Sequence, residues 1–362
     1  MKGYKEVTMK PMSKSLMQLT LLVGIFLLSS SANAWNSFGR WSGTRITMHA
    51  AQSTFPAGNP YRTSLYWAVM QFNKNPSQFR ITQRYDDTSL DLHNGQNEVW
   101  ASADRRHSPA VTYWWIDTKT NRIIEADVVF YNAYPYTAYM NKTTSLAYGG
   151  SKRTFRTVLL HEYGHVAGLH HEDDEYNIMG DDKTHIHCNG DNLYSYVGED
   201  AADGLVYLYG GYSGTIEDLS VSMFRRIGAS GGYSSHGFCR MFDSSGTLLI
   251  SSDYEGQKRY DVSPGQLVRV EFTYENNGKT SQSTQVGYYI STNNYISTSD
   301  RLITRLSRMT LIRNDVYTYS VTLRIPSDLA PGTYYLGAII DYNDTLKEID
   351  PTNAAYHIIR VR

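Results

Sequence analysis

The sequence predicts an α+β domain followed by an all-β sandwich, and three observations lead there. Helical apolar spacing recurs three times before residue 211, with strand-like runs between the repeats. Beyond 211 the apolar residues alternate one by one, with turn signals separating the runs. No strong helical pattern appears in that second half. A chain of 362 residues is long enough for two such cores.

The first 34 residues stand apart. Lys2, Lys5, Lys10 and Lys14 precede an apolar run over 16–28 that ends in small residues at 31–34 (SANA). This is the pattern of a secretory signal peptide (1–34) cut after Ala34, and the run is shorter than the roughly 18 to 20 residues of a bilayer span. The mature chain is therefore expected to be secreted, extracellular or periplasmic, with no membrane span after signal cleavage. The segment holds four lysines and one glutamate, so 34 Lys and Arg against 35 Asp and Glu become 30 against 34, a net charge of −4. No basic patch points to nucleic acid.

Residues 44–50 (TRITMHA) read as the first strand. Asn59-Pro60 starts a helix whose Leu65, Ala68, Val69 and Phe72 share one face, ending near Asn75-Pro76. Residues 111–117 (VTYWWID) and 122–131 (RIIEADVVFY) flank a polar turn and suit a hairpin. A second helix, after Gly149-Gly150, keeps Phe155, Val158, Leu159 and Val166 to one side. A third repeats the spacing through Ala202, Leu205, Val206 and Tyr209 and stops at Gly210-Gly211, which sets the domains at 35–212 and 213–362. In the second domain 268–274, 285–292, 317–325, 333–341 and 355–361 alternate, and 218–223 suits a first strand.

The second helix carries HEYGHVAGLHHE over 161–172. His161 and His165, four apart, project from one helical face and can hold one metal ion, while Glu162 begins the next row and can reach a water there without joining the ligands. Gly168 and His171 extend the pattern to HExxHxxGxxH, whose chance expectation is about one in ten thousand for a chain of this length. A straight helix would turn the following residues away, so a third ligand requires a break, and glycine permits the positive φ of one. Spacing does not choose between His170 and His171.

This motif, with Met179 in 177–180 (NIMG), resembles the zinc motif and Met-turn of the metzincin metallopeptidases, and more closely the matrixin branch (peptidase M10 type). Residues 125–130 (EADVVF) and 199–210 (EDAADGLVYLYG) are similar to the strand before the matrixin active-site helix and to its last helix. The resemblance covers 35–212 and implies a metzincin-type catalytic domain, a twisted mixed sheet plus three helices. It implies that His161, His165 and His171 bind one catalytic Zn2+, that Glu162 is general base and acid, and that Met179 underlies the site. It also implies a protein or peptide substrate extended along an edge strand, for which 111–116 is the candidate.

Residues 331–362 are similar to the end of the bacterial CARDB domain, an immunoglobulin-like sandwich, through the PGTY turn, Asp341, Asn343, Glu348 and Asn353. Such a module implies attachment to a substrate, a cell surface or an extracellular matrix ligand, or service as a spacer. The function expected is a secreted zinc endopeptidase. Its rival is a non-catalytic adhesion protein on a metzincin scaffold, which has no need of Glu162.

Other side chains have two readings each. Cys188 and Cys239 can pair in an oxidising compartment or remain two thiols. His185 and His187 suggest a second metal, or are polar wall residues of a loop. Asp173, Asp174, Asp181 and Asp182 offer oxygens to a structural Ca2+, but without regular calcium-loop spacing a solvated acidic loop accounts for them better. No cysteine precedes the motif to cap the zinc, so latency by a cysteine switch is not expected.

Overall fold

A computed structural model of the chain describes residues 35–104, 106, 108–141, 153–172, 177–180, 185–191, 193–226, 236–350 and 352–362. Strands β1 (Arg45–Ala51), β2 (Arg80–Asp87), β3 (Glu98–Ser102), β4 (Ala110–Asp117) and β5 (Arg122–Tyr131) form one sheet in the order β2-β1-β3-β5-β4. Its pairings are parallel except that β4 runs antiparallel to β5. The hairpin thus leaves β4 as an edge strand, with backbone groups turned outward from the sheet.

Helix α1 (Pro60–Phe72) starts where Asn59 caps it, its Oδ1 accepting from the Tyr61 N–H at 2.8 Å with Pro60 in the first turn. Helix α2 (Phe155–Val166) packs beside it. Together they bury Leu65, Val69, Phe72, Leu159 and Tyr163 against Met48, Phe79 and Val128 of the sheet side. Two short pairs follow, β6 (Tyr136–Thr137) with β7 (Arg153–Thr154) and β8 (Ile186–Cys188) with β9 (Leu193–Ser195). Helix α3 (Glu199–Tyr209) ends at Gly210.

The remaining strands make two facing sheets. One joins β10 (Leu219–Ser222) and β11 (Met241–Asp243) to one side of β14 (Leu267–Asn276), whose other side pairs with β17 (Val316–Arg324). The other runs β12 (Ser251–Tyr254), β13 (Gln257–Val262), β19 (Ala354–Val361), β18 (Gly332–Ile340), β15 (Gln282–Ser291), β16 (Arg301–Leu311). Inward-facing Val270, Phe272, Tyr274, Tyr288, Leu336 and Ile358 fill the space between them. Met140, Ile186, Cys188 and Leu193, which precede the sandwich in sequence, join the same core.

This architecture corrects the expected fold class. Strands make up 45% of the described residues, in several sheets, against three helices of 13, 12 and 11 residues among them, an all-β character rather than an α+β metzincin-type catalytic domain. The reason is that helical periodicity is a conspicuous signal whereas many strands carry little alternation. β2 (RITQRYDD) is largely polar and β16 (RLITRLSRMTL) largely exposed, and neither stands out from sequence.

Among the described residues no helix is long and apolar enough to cross a membrane. The expected signal peptide over 1–34 and the acidic residues Asp173, Asp174, Asp181 and Asp182, considered for Ca2+, lie outside the described residues.

Candidate metal centre

Helix α2 is buried along most of its length, including Leu159, Leu160, His161, Glu162 and Tyr163. Its far end is held by polar contacts: Trp41 Nε1 donates to Val166 O, Tyr209 Oη donates to Ala167 O, and Phe38 N donates to Gly168 O, at 2.7, 2.7 and 3.1 Å. These satisfy carbonyls that a helix end would otherwise leave without partners. At Gly168 φ is +99°, and a Cβ there would lie 2.2 Å from Gly39 O. Only glycine takes this turn, and it brings the next residues back toward the helix.

The turn gathers three imidazoles. Nε2 of His161 lies 3.1 Å from Nε2 of His165 and 3.1 Å from Nε2 of His171. His161 Nδ1 is 2.7 Å from Ile178 O and His165 Nδ1 is 2.7 Å from Leu169 O. A carbonyl only accepts, so both Nδ1 atoms carry the proton. Burial, reinforced by the adjacent His161 and His171 rings, holds the His165 pKa well below that of an ordinary histidine, so its Nε2 is a lone pair aimed into the cluster. Three ring nitrogens converging in this way fit a cation: tetrahedral ligands at 2.0–2.1 Å from zinc would stand about 3.4 Å apart. The carbonyl bonds on Nδ1 are the outer contacts that fix the tautomer of metal-binding histidines.

The 177–180 turn supports this arrangement. Ile178 supplies the carbonyl that orients His161, Asn177 Oδ1 accepts from Met179 N at 2.7 Å, and Glu172 N donates to Met179 O at 3.1 Å. Met179 is buried against Gly164 of α2. Glu162 is buried beside the triad, and Thr112 of β4 donates its hydroxyl to Glu162 Oε2 at 2.6 Å. The edge strand and the carboxylate are thus tied together. Sequence reasoning missed Thr112, since a lone threonine in a strand carries no signal of its own.

His170 stands apart from the cluster: it is exposed, and its ring meets Phe38 edge-on at 4.9 Å. His187 does not join His185 in a metal cluster either. Its Nδ1 faces Val221 O at 3.2 Å in the sandwich interior, where burial lowers its pKa to about 4. The Cys188–Cys239 bridge considered from sequence is not formed. Cys239 is a free, buried thiol 3.6 Å from Thr273 Oγ1, with its pKa raised by burial to about 12, while Cys188 Sγ packs 3.6 Å from the Tyr356 hydroxyl. Each sulfur is enclosed by its own neighbours, so neither faces the other.

No protein-family model matches the chain, and no curated protein is similar to it. Among solved structures it is similar to the CARDB domain of a Pyrococcus furiosus protein in complex with di-metal ions, at 17% identity and a TM-score of 0.25, over 41% of this chain and 90% of that one. It is also similar to the C-terminal domain of wzt, at 13% identity and a TM-score of 0.24, over 40% of this chain and 78% of that one. The sporulation control protein Spo0M of Bacillus subtilis matches at 14% identity and a TM-score of 0.20, over 38% of this chain and 50% of that one. At such scores these likenesses carry no weight on function.

Proposed function

We propose that the chain is a zinc-dependent endopeptidase whose metal is held by His161, His165 and His171. The observation that carries this reading is the convergence of three Nε2 atoms, two of them on rings whose Nδ1 protons are committed to carbonyls, on a helix in which the residue after His161 is the buried Glu162. Resemblance to metzincins supports it at the level of the HExxHxxGxxH motif and Met179, and not at the level of the fold. Zinc bound by these ligands supplies Lewis acidity toward a peptide carbonyl and toward water.

Glu162 then has the proton work. Its carboxylate takes a proton from the attacking water and returns it to the departing amine. The Thr112 hydroxyl holds Oε2 in position. Edge strand β4, antiparallel to β5 and linked to Glu162 through Thr112, suits an extended peptide that adds its backbone to the sheet. The sandwich would serve attachment to a substrate, cell surface or matrix, and the chain would act outside the cytoplasm. Its rival is a binding protein that uses the same three imidazoles without catalysis.

The test strips the protein with a chelator, restores zinc, and follows cleavage of an unfolded protein. Cleavage lost with the metal and regained with zinc is the expected result. A zinc-loaded protein that cleaves no unfolded substrate, or a stripped one that cleaves as well as the loaded one, overturns the reading.

A further inference from the structure

Strand β4 presents two faces. Thr112 and Trp114 stand on one of them by the two-residue period, and Tyr113 and Trp115 on the other. Across the ladder to β5 the first two lie opposite Val128 and Ala126, both part of the core under the helices, and Thr112 bonds Glu162 from this face. The other two are engaged elsewhere: the Tyr113 hydroxyl lies 3.0 Å from that of Tyr131, and the Trp115 ring stacks on His93 at 4.7 Å and 6°. Trp114 is therefore the next side chain along the strand from the residue that holds Glu162, about 7 Å further on.

What Trp114 meets there comes from another part of the chain. Its ring stacks on Phe38 at 4.1 Å and 15°, and the Phe38 ring in turn meets His170 edge-on at 4.9 Å. Phe38 is held by the backbone: its N–H donates to Gly168 O at 3.1 Å, His170 N donates to Asn36 O at 2.8 Å, and Ser37 is bridged to Leu169. The same loop runs on to His171, whose Nε2 is in the triad. Three rings from three separate segments thus make a continuous row between the edge strand and the ligand loop. Trp114 and Phe38 are half-buried and His170 is exposed, so part of this row is open to solvent rather than sealed in the core.

We infer that Trp114, Phe38 and His170 form a subsite that selects an aromatic or large aliphatic side chain of the peptide substrate, two residues from the one opposite Thr112. This subsite rests on the peptidase reading above and adds a residue preference to it. An extended peptide paired with β4 alternates its side chains in step with the strand, so the residue opposite Trp114 shares a face with the residue opposite Thr112 and points at the row. Aromatic surface of this kind rewards stacked or edge-on rings and apolar contact, whereas a charged side chain set against it loses hydration without a partner. Because Phe38 is fixed by backbone hydrogen bonds, the surface is in place before the substrate arrives.

The experiment uses the full chain loaded with zinc and a set of unstructured peptides identical except at one position. That position holds Phe, Leu, Ser or Asp in turn and is moved residue by residue across the cleavage point. The quantity read is the ratio of kcat/KM for the Phe peptide to that for the Asp peptide, in which the amount of folded enzyme cancels. The wild type should favour Phe about tenfold or more at one position close to the cleaved bond. Trp114→Ala and Phe38→Ala should each bring that ratio close to one with zinc content unchanged, and Trp115→Ala, on the opposite face, should leave it at the wild-type value. Should Trp114→Ala fail to fold, Trp114→Gln keeps much of the bulk, removes the ring and gives the same reading. A wild type that cleaves without this preference, or variants that keep it, overturns the subsite and leaves the peptidase reading standing. Equal losses in Trp114→Ala and Trp115→Ala trace the effect to the shape of the strand and also overturn it. A zinc-loaded wild type that cleaves none of the peptides overturns the peptidase reading and the subsite with it.

Discussion

The 161–171 cluster and the cluster of His185, Glu199 and Glu275 gather ligand-type side chains in opposite surroundings. The first has three neutral-capable imidazoles, of which His165 and His171 are half-buried, with an edge strand and a carboxylate alongside. The second is buried throughout, with the Tyr196 carbonyl at His185 Nδ1 and the Tyr196 hydroxyl donating to Glu275. A metal that must meet water and substrate needs an open position and a separate base. The contrast teaches that ligand identity says less about a site's role than access does.

The sharpest way to break this contrast is to remove one imidazole. His165→Ala should abolish zinc binding at the triad and reduce cleavage to background, as metal analysis with a peptide assay would show. Zinc bound to the variant as tightly as to the wild type would contradict the ligand role of His165. Next in size is Gly168→Ala, which forces a Cβ against Gly39 O at a φ of +99°. It should cost about 2–3 kcal/mol in urea unfolding. A change below about 0.5 kcal/mol would show that the turn relaxes and that the third ligand does not depend on glycine there.

Smaller effects sharpen the comparison. Thr112→Val removes a hydrogen bond of about 1.5–3 kcal/mol to a charged acceptor, so kcat/KM should fall by about 10- to 150-fold at most with zinc content unchanged. The two halves should also differ in pH response. Burial raises Asp127 of β5 to about 7, so its contribution is complete below the ordinary carboxyl range and is lost as pH rises through 7. Burial lowers His357 of β19 to about 4, so its contribution is complete above about 6.5 and is lost as pH falls toward 4. Relative to the wild type, Asp127→Asn should lose least Tm at high pH and His357→Gln least at low pH. Parallel Tm curves for all three proteins would contradict this assignment of signs.

Legibility in the sequence followed the locality of the signal. His161, Glu162 and His165 are set by one helical turn, and Gly168 by a broken one, so spacing alone brought them forward. His171 rather than His170 came from resemblance, and the geometry that separates them, Nε2 in the cluster against a ring on Phe38, depends on a turn that no periodicity encodes. The alternating runs at 268–274 and 333–341 fall in β14 and β18 because both face a common core. The fold class was misjudged because three short helices read more clearly than strands such as β2 and β16. Glu199 and Glu275 were illegible as partners, since each looks like a surface carboxylate and only tertiary packing brings both to His185.

The central claim is that Glu162 moves the proton for a zinc-assisted cleavage. The most direct measurement compares cleavage of an unfolded protein by the wild type and by Glu162→Gln, each shown to hold the same amount of zinc. A loss on the order of 10²–10⁴-fold in kcat, with zinc retained, is the result predicted. Equal cleavage by the two zinc-loaded proteins would contradict it.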